Sequence, residues 1–155
     1  MEKGAILSED RKYRYVLWRE WDAALPKVMF VGLNPSTADE NEDDPTIKKC
    51  IAFTEKWDYG GFYMTNLFAY RSTDPAQLRS VENPVGDEND NYIKKYVDLS
   101  DKVVACWGNE GTYLKRSEAV RSSIDTLFCL EINKSGEPHH PLYLKPSTSL
   151  KRYKS

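Results

Sequence analysis

Lys27-Val28-Met29-Phe30-Val31-Gly32-Leu33-Asn34-Pro35-Ser36-Thr37-Ala38-Asp39 is the stretch whose reading decides the fold. Its first half is an unbroken apolar run, the pattern of a strand buried on both faces, and such strands belong to parallel sheets covered by helices. The run ends at Gly32 and delivers Leu33, Asn34, Pro35, Ser36 and Thr37 into a tight polar turn. Ligands of open α/β sheets bind at the carboxyl ends of the strands, so Asn34 is the first candidate for chemistry.

Upstream, Tyr13 to Trp21 alternates apolar and charged side chains, the period of a strand with one buried face carrying Tyr13, Tyr15, Leu17 and Arg19. It is expected to run antiparallel, pairing with Val28 to Leu33 or lying at the sheet edge. Downstream, Asp39, Glu40, Glu42, Asp43 and Asp44 form an acidic cluster, read as solvated surface. Asp44-Pro45 is a helix-start signal, and Ile47, Cys50, Ile51, Phe53 and Trp57 give a helix over about 45–57. Phe62 to Tyr70 reads as a second buried strand in which Thr65 and Asn66 are the polar interruptions. A buried amide must find partners, so Asn66 is either a bridge to backbone groups or a reader of a ligand.

A short helical turn is expected near Pro75 to Val81, then a helix opened by Gly86-Asp87 with Asp87 as its cap and Tyr92, Ile93, Tyr96, Val97 and Leu99 on its apolar face. Lys102 to Trp107 is a third buried strand closed by Gly108-Asn109, Gly111 to Ile124 a further helix, and Thr126 to Ile132 a last strand. Alternating strands and helices predict a three-layer α/β/α sandwich with a mainly parallel four-stranded sheet and the antiparallel N-terminal strand beside it. Right-handed crossovers then gather Asn34, Asn66, Phe68, Arg71, Asn109 and the loop after Ile132 on one edge. That loop holds both histidines, His139 and His140, framed by Gly136, Pro138 and Pro141.

The 155 residues suit one domain, with a core over about 13–144 and a basic tail over 145–155 carrying Lys145, Lys151, Arg152 and Lys154. No apolar run approaches a membrane span, and residues 1–10 are too polar for a signal peptide, so a cytoplasmic protein is expected. Cys50, Cys106 and Cys129 read as buried reduced thiols. Without a C-x-x-C, and with two histidines, no metal or other cofactor is expected. The net charge of −2 is ordinary for a soluble enzyme and unfavourable for a general nucleic-acid binder.

Four pieces, in order, resemble the uracil-DNA glycosylase superfamily. Gly32-Leu33-Asn34-Pro35 is similar to the G-I-N-P motif of its mismatch-specific and thymine-DNA branches, and Thr65-Asn66 to the asparagine-bearing strand that reads the base. Val103 to Gly108 resembles the third strand, and His140-Pro141-Leu142 the start of H-P-S-P-L-S. Over Tyr13 to Leu144 the chain also resembles a bacterial and phage family known as domain of unknown function 1643, a likeness that implies no activity. The glycosylase likeness implies a partner that is a nucleic acid or a nucleotide, with Asn34 and His140 catalytic. It implies a base- or ligand-binding set of Leu33, Pro35, Ser36, Thr37, Asn66, Phe68, Arg71, Asn109, His139 and Leu142.

The chemistry is coherent on its own terms. A glycosylase must extrude a base, hold its edge, position water at C1′ and stabilise the leaving base. An amide at Asn66 can accept from a pyrimidine N3–H and donate to O4, rejecting cytosine, and His140 can donate to the developing charge. Asn34 can orient water but cannot take its proton, which predicts a slow enzyme. Leu142 or Leu144 is a candidate wedge into the base stack. Leu142 and Tyr143 replace a serine and a proline of the glycosylase motif, removing a hydroxyl that would grip a phosphate. Five carboxylates within ten residues of Asn34 also oppose duplex DNA. A binding module without turnover and an enzyme on a small nucleoside or nucleotide are the alternative readings.

Overall fold

The computed structural model describes residues 1–154 as an α/β fold. Its elements are β1 (Glu2–Leu7), β2 (Arg14–Glu20), β3 (Lys27–Gly32), α1 (Pro45–Lys56), β4 (Gly61–Asn66), α2 (Asn89–Asp98), β5 (Lys102–Ala105), α3 (Arg116–Ser123), β6 (Leu127–Cys129) and β7 (Lys151–Lys154). One mixed sheet of seven strands runs β1-β2-β4-β3-β5-β6-β7. The four-stranded, mainly parallel sheet expected from the sequence is therefore too small. β3 pairs parallel with β4 and β5, and β5 with β6, while antiparallel pairings add β2 and β1 at one side and β7 at the other.

β3 explains the layering. Val28 and Phe30 enter an apolar cluster with Ile47, Cys50 and Phe53 of α1. Met29 and Val31 enter a second cluster with Ile93 and Tyr96 of α2, Val120 of α3 and Ile124 just after it. Successive side chains of a strand point to opposite faces, so helices cover this strand on both sides. Each such fully buried side chain contributes about 1.5–3 kcal/mol from water exclusion.

β2 neither pairs with β3 nor lies at the edge; it sits between β1 and β4. A register shift opposite Ile6 and Leu7 turns Tyr15 and Val16 into the same cluster, which separates Tyr15 from Leu17 on the other face. β1 escaped the sequence reading because its strand is short and half polar. Gly4 is set against Trp18, where a β-carbon would overlap the indole. The basic tail is also corrected: it closes the sheet as β7. Lys154 Nζ donates to the carbonyls of Arg121 and Ile124 at 2.5 and 2.7 Å, capping α3 with a cation at its negative end. Ser155 lies outside the described residues.

Two helix starts differ from expectation. Asp44 caps α1 by accepting from Ile47 N at 2.9 Å, as its sequence implies, but Asp87 accepts from Asn83 Nδ2 and leaves α2 without a side-chain cap. The single helix expected over 111–124 is a 3-10 segment, Asn109–Lys115, and then α3, because Leu114 and Lys115 adopt positive φ. β6 is shorter than the strand expected over 126–132. All three cysteines are buried free thiols. No helix is long and apolar enough to cross a membrane, and no metal-binding cluster of His, Cys, Asp or Glu occurs, both among the described residues.

The acidic cluster is not a solvated surface. Arg19, fully buried, donates from Nε to Asp43 Oδ1 at 2.8 Å and from its terminal nitrogens to the carbonyls of Trp18, Asp39 and Glu42. Arg11 pairs with Glu40 at 2.8 Å, and Asp39 accepts the backbone N–H groups of Asn41 and Glu42. The loop folds onto a buried cation and leaves Glu42 as its exposed acid.

Candidate functional site

Sheet register builds the site. Gly32 is the pairing partner of Asn66, and Val31 that of Ala105, so the ends of β3, β4 and β5 come level and their following residues share one edge. There Leu33, Asn34, Pro35, Asn66, Cys106 and His140 line a cavity of about 130 Å³, together with Arg14 of β2 and Asp44, Thr46 and Ile47 at the start of α1. That volume is close to the ~150 Å³ of an apolar cavity that holds benzene, the size of one planar ring.

Asn66 is buried, and its Nδ2 has no hydrogen-bond partner. Its side chain lies against Gly32, where a β-carbon would come within 2.8 Å of Oδ1; glycine at the end of β3 makes room for the amide. Its main chain is fixed from outside the cavity: Asn89 Nδ2 donates to the carbonyls of Asn66 and Leu67 at 2.9 and 3.1 Å, and Arg116 Nε to that of Leu67. The amide is thus held in place without being bonded, and an unpaired buried donor costs about 1–3 kcal/mol.

Asn34 plays a different part. Its Nδ2 donates to the carbonyls of Pro35 and Ser72, both at 3.1 Å, and this stitches the turn to the segment after β4. His140 accepts at Nδ1 from Leu142 N at 3.1 Å, which assigns the ring proton to Nε2 and makes that nitrogen a donor. Burial lowers the His140 pKa, His139 lowers it further, and Asp44 opposes both. Asp44 is itself occupied, accepting from Ile47 N and, at 3.4 Å, from Ala38 N.

Of the other residues proposed from sequence, Ser36 lines the cavity and also an adjoining open groove with Arg11, Lys12, Thr37 and Arg71. Thr37 and Arg71 belong to that groove and not to the cavity; Arg71 is tethered to the carbonyls of Ser36, Thr37 and Arg11. Phe68 is wholly buried in the core beside Tyr113. Asn109 Oδ1 accepts from Asn133 and Ser135, holding the loop that precedes the histidines. His139 donates from Nδ1 to the carbonyl of His140 at 2.6 Å, and its backbone N–H is bonded to Glu131. Leu142 is half-buried beyond the cavity wall, which Pro141 forms instead, and Leu144 packs against the α1-side core and is not free to wedge.

Arg14, Asp44, Thr46 and Cys106 were missed as site residues. The sequence signal for Arg14 is a charged residue between Tyr13 and Tyr15 in an aromatic strand. A larger open groove of about 740 Å³ runs between α2 and α3, near the amino ends of β5 and β6. It carries none of the unpaired buried side-chain atoms found among the described residues, whereas two of those three, Arg14 Nε and Asn66 Nδ2, belong to residues lining the smaller cavity. The smaller cavity is therefore the better candidate site.

Fold and site together define an α/β protein with a ring-sized pocket at the carboxyl edge of its parallel strands. The chain belongs to the protein family of unknown function DUF1643, whose pattern matches residues 14–142. No curated protein and no solved structure gives a significant match.

Proposed function

We propose that this chain recognises a single base of a nucleic acid or nucleotide, and that slow hydrolysis of the N-glycosidic bond is its reaction. The observation that carries the reading is that Asn34, Asn66 and His140 line one cavity of about 130 Å³, and that the amide nitrogen of Asn66 is buried without a hydrogen-bond partner. The same three positions carry the resemblance to the uracil-DNA glycosylase superfamily. Asn66 supplies the base-edge contact, and the Nε2–H of His140 supplies a preorganised donor for charge developing on the departing base.

The charge objection to nucleic acid weakens, because the acids after Asn34 are turned onto Arg19, Arg11 and the start of α1. The groove that shares Ser36 with the cavity offers Lys12 to a phosphate, since Lys12 has no ion-pair partner among the described residues, while Arg11 there is paired with Glu40 and Arg71 is tethered to backbone carbonyls. One observation favours the binding-only reading: Asp44, the one carboxylate of the cavity wall, accepts backbone N–H groups of Ile47 and Ala38, and the Asn34 amide cannot take a proton, so no free base for water lines the cavity.

Oligonucleotides carrying uracil, hypoxanthine, xanthine or hydroxymethylated pyrimidines, treated with protein and then alkali, test the reading beside Asn66→Ala and His140→Ala. Strand scission above both variants supports hydrolysis. Binding without scission leaves the recognition module, and affinity that falls steeply with salt identifies nucleic acid over a free nucleotide. Neither scission nor binding on any substrate refutes the proposal.

A further inference from the structure

Arg14 carries an inference that deepens the base-recognition reading and rests on it for the size of the ligand. Three arginines are buried among the described residues: Arg14, Arg19 and Arg116. Arg19 is paired with Asp43 and Arg116 with Asp90, each at 2.8 Å. Arg14, 2% exposed, has no carboxylate within 4.0 Å among the described residues and makes one side-chain hydrogen bond, from a terminal nitrogen to the Ala38 carbonyl at 3.0 Å. Its Nε–H is buried without a partner.

A buried guanidinium left in this state is costly, and proteins keep buried charges paired or bound to a ligand. Arg14, Asn66 and His140 line the same cavity, so a guanidinium without a carboxylate partner, an amide and an imidazole protonated at Nε2 border a ring-sized space, and Arg14 is the one cation among them. The first turn of α1 supplies further positive potential through Thr46 and Ile47, although Asp44 caps it. We propose that the cavity is an anion site, with Arg14 as the residue that meets the ligand's negative charge and with Asn66 and His140 donating to its acceptor atoms. The ligand class is an anionic group whose edge presents acceptors. A planar ring with an ionised N–H between two carbonyls has that chemistry and that size; an oxyanion such as phosphate has the chemistry without the ring.

The other ionisable groups facing this space leave Arg14 as its cation. Burial is the main influence lowering the Arg14 pKa, to about 10, against Asp44, which raises it, and Arg71 and Arg19, which lower it further. The guanidinium is therefore charged through pH 9. Burial raises the pKa of Cys50 and Cys106, which are neutral thiols, and His140 is neutral above its lowered pKa. Asp44 is the one acid of the cavity wall, and its oxygens accept from Ile47 N and Ala38 N.

Calorimetric titration of the full chain with uracil, 5-fluorouracil and inorganic phosphate between pH 7 and 9 tests this. The fluorine makes the ring N–H more acidic with little change of size. If the ring binds as its anion, affinity rises about tenfold per pH unit below the ring pKa, 5-fluorouracil binds tighter than uracil, and the bound ring shows the ultraviolet spectrum of the anion. Arg14→Lys keeps the rise and Arg14→Met abolishes it; if Arg14→Met does not fold, the wild-type spectrum and Arg14→Lys decide. Phosphate binding without ring binding leaves the anion site standing and refutes base recognition. Rings bound equally across the pH range, with a neutral spectrum, overturn the anion site and leave base recognition standing. No binding by any probe overturns both.

Discussion

Replacing Asn66 by alanine separates a ligand reader from a structural bridge. Large-to-small changes at buried sites cost about 2–5 kcal/mol when the removed atoms are packed and satisfied. Here the deleted Nδ2 is buried and unbonded, so the substitution also removes a penalty of about 1–3 kcal/mol. Asn66 lines a cavity that is already open, so the space left by its side chain joins existing volume. Set against the low end of the packing cost, about 2 kcal/mol, that relief leaves a net loss of no more than about 1 kcal/mol, or a melting shift of no more than ~4 °C for a domain of this size. Asn89→Ala is the internal comparison, since its Nδ2 holds the carbonyls of both Asn66 and Leu67, and losing both bonds should cost about 1–3 kcal/mol. Ligand affinity should fall about tenfold or more in Asn66→Ala, the worth of one buried hydrogen bond of about 1.4 kcal/mol. Urea unfolding and calorimetric binding measure the two quantities on the same samples. A stability loss of about 2 kcal/mol or more in Asn66→Ala, with affinity unchanged, would refute the reasoning.

Asn34→Asp should not create a faster enzyme: the nitrogen it replaces faces the carbonyls of Pro35 and Ser72, so a carboxylate there repels both and costs about 1–3 kcal/mol, read as a lower urea midpoint with no gain in turnover. Arg19→Met removes four hydrogen bonds and leaves Asp43 with Lys3, at 3.6 Å, as its cation, so unfolding experiments should show a loss of about 3 kcal/mol. His140 binds its proton less tightly folded than unfolded, so between the lowered folded pKa and the ordinary 6.5 the unfolded chain holds more protons. Its contribution to stability is complete above pH 6.5 and is lost as pH falls toward the folded value, and His140→Asn should flatten that part of a melting-temperature profile against pH.

The site's location was legible because it follows from periodicity. An unbroken apolar run marks β3, a second marks β4, and parallel pairing of the two must bring the residues after Gly32 and Asn66 together. Individual side-chain roles were less legible, because they depend on which partner a polar group finds. Phe68 and Asn109 occupy the expected edge in sequence, yet one is swallowed by the core and the other holds a neighbouring loop. The edge strands were hidden for a related reason: β1 and β7 carry lysines, and an edge strand's polar residues resemble those of a tail. Nothing in the spacing of Asp39 to Asp44 shows that Arg19, twenty residues earlier, gathers that loop from beneath.

Arg14 and Arg19 show how a single strand places two buried arginines in different electrostatic settings. Both turn toward the segment that leads into α1, and each donates to a carbonyl of that segment, Arg14 to Ala38 and Arg19 to Asp39. Arg19 then finds a carboxylate and two further carbonyls, so its charge is spent within the fold. Arg14 finds none of these, because the nearest acid, Asp44, is held by the first turn of α1. The helix cap that starts α1 therefore also keeps the Arg14 charge available: had Asp44 swung to pair with Arg14, the cavity would lose its positive wall and α1 would lose its cap, worth about 1 kcal/mol. The Asp44-Pro45 start signal and the electrostatics of the pocket are in this way the same feature, and the acidic loop that argued against a nucleic acid is what leaves one arginine unpaired beside Asn66.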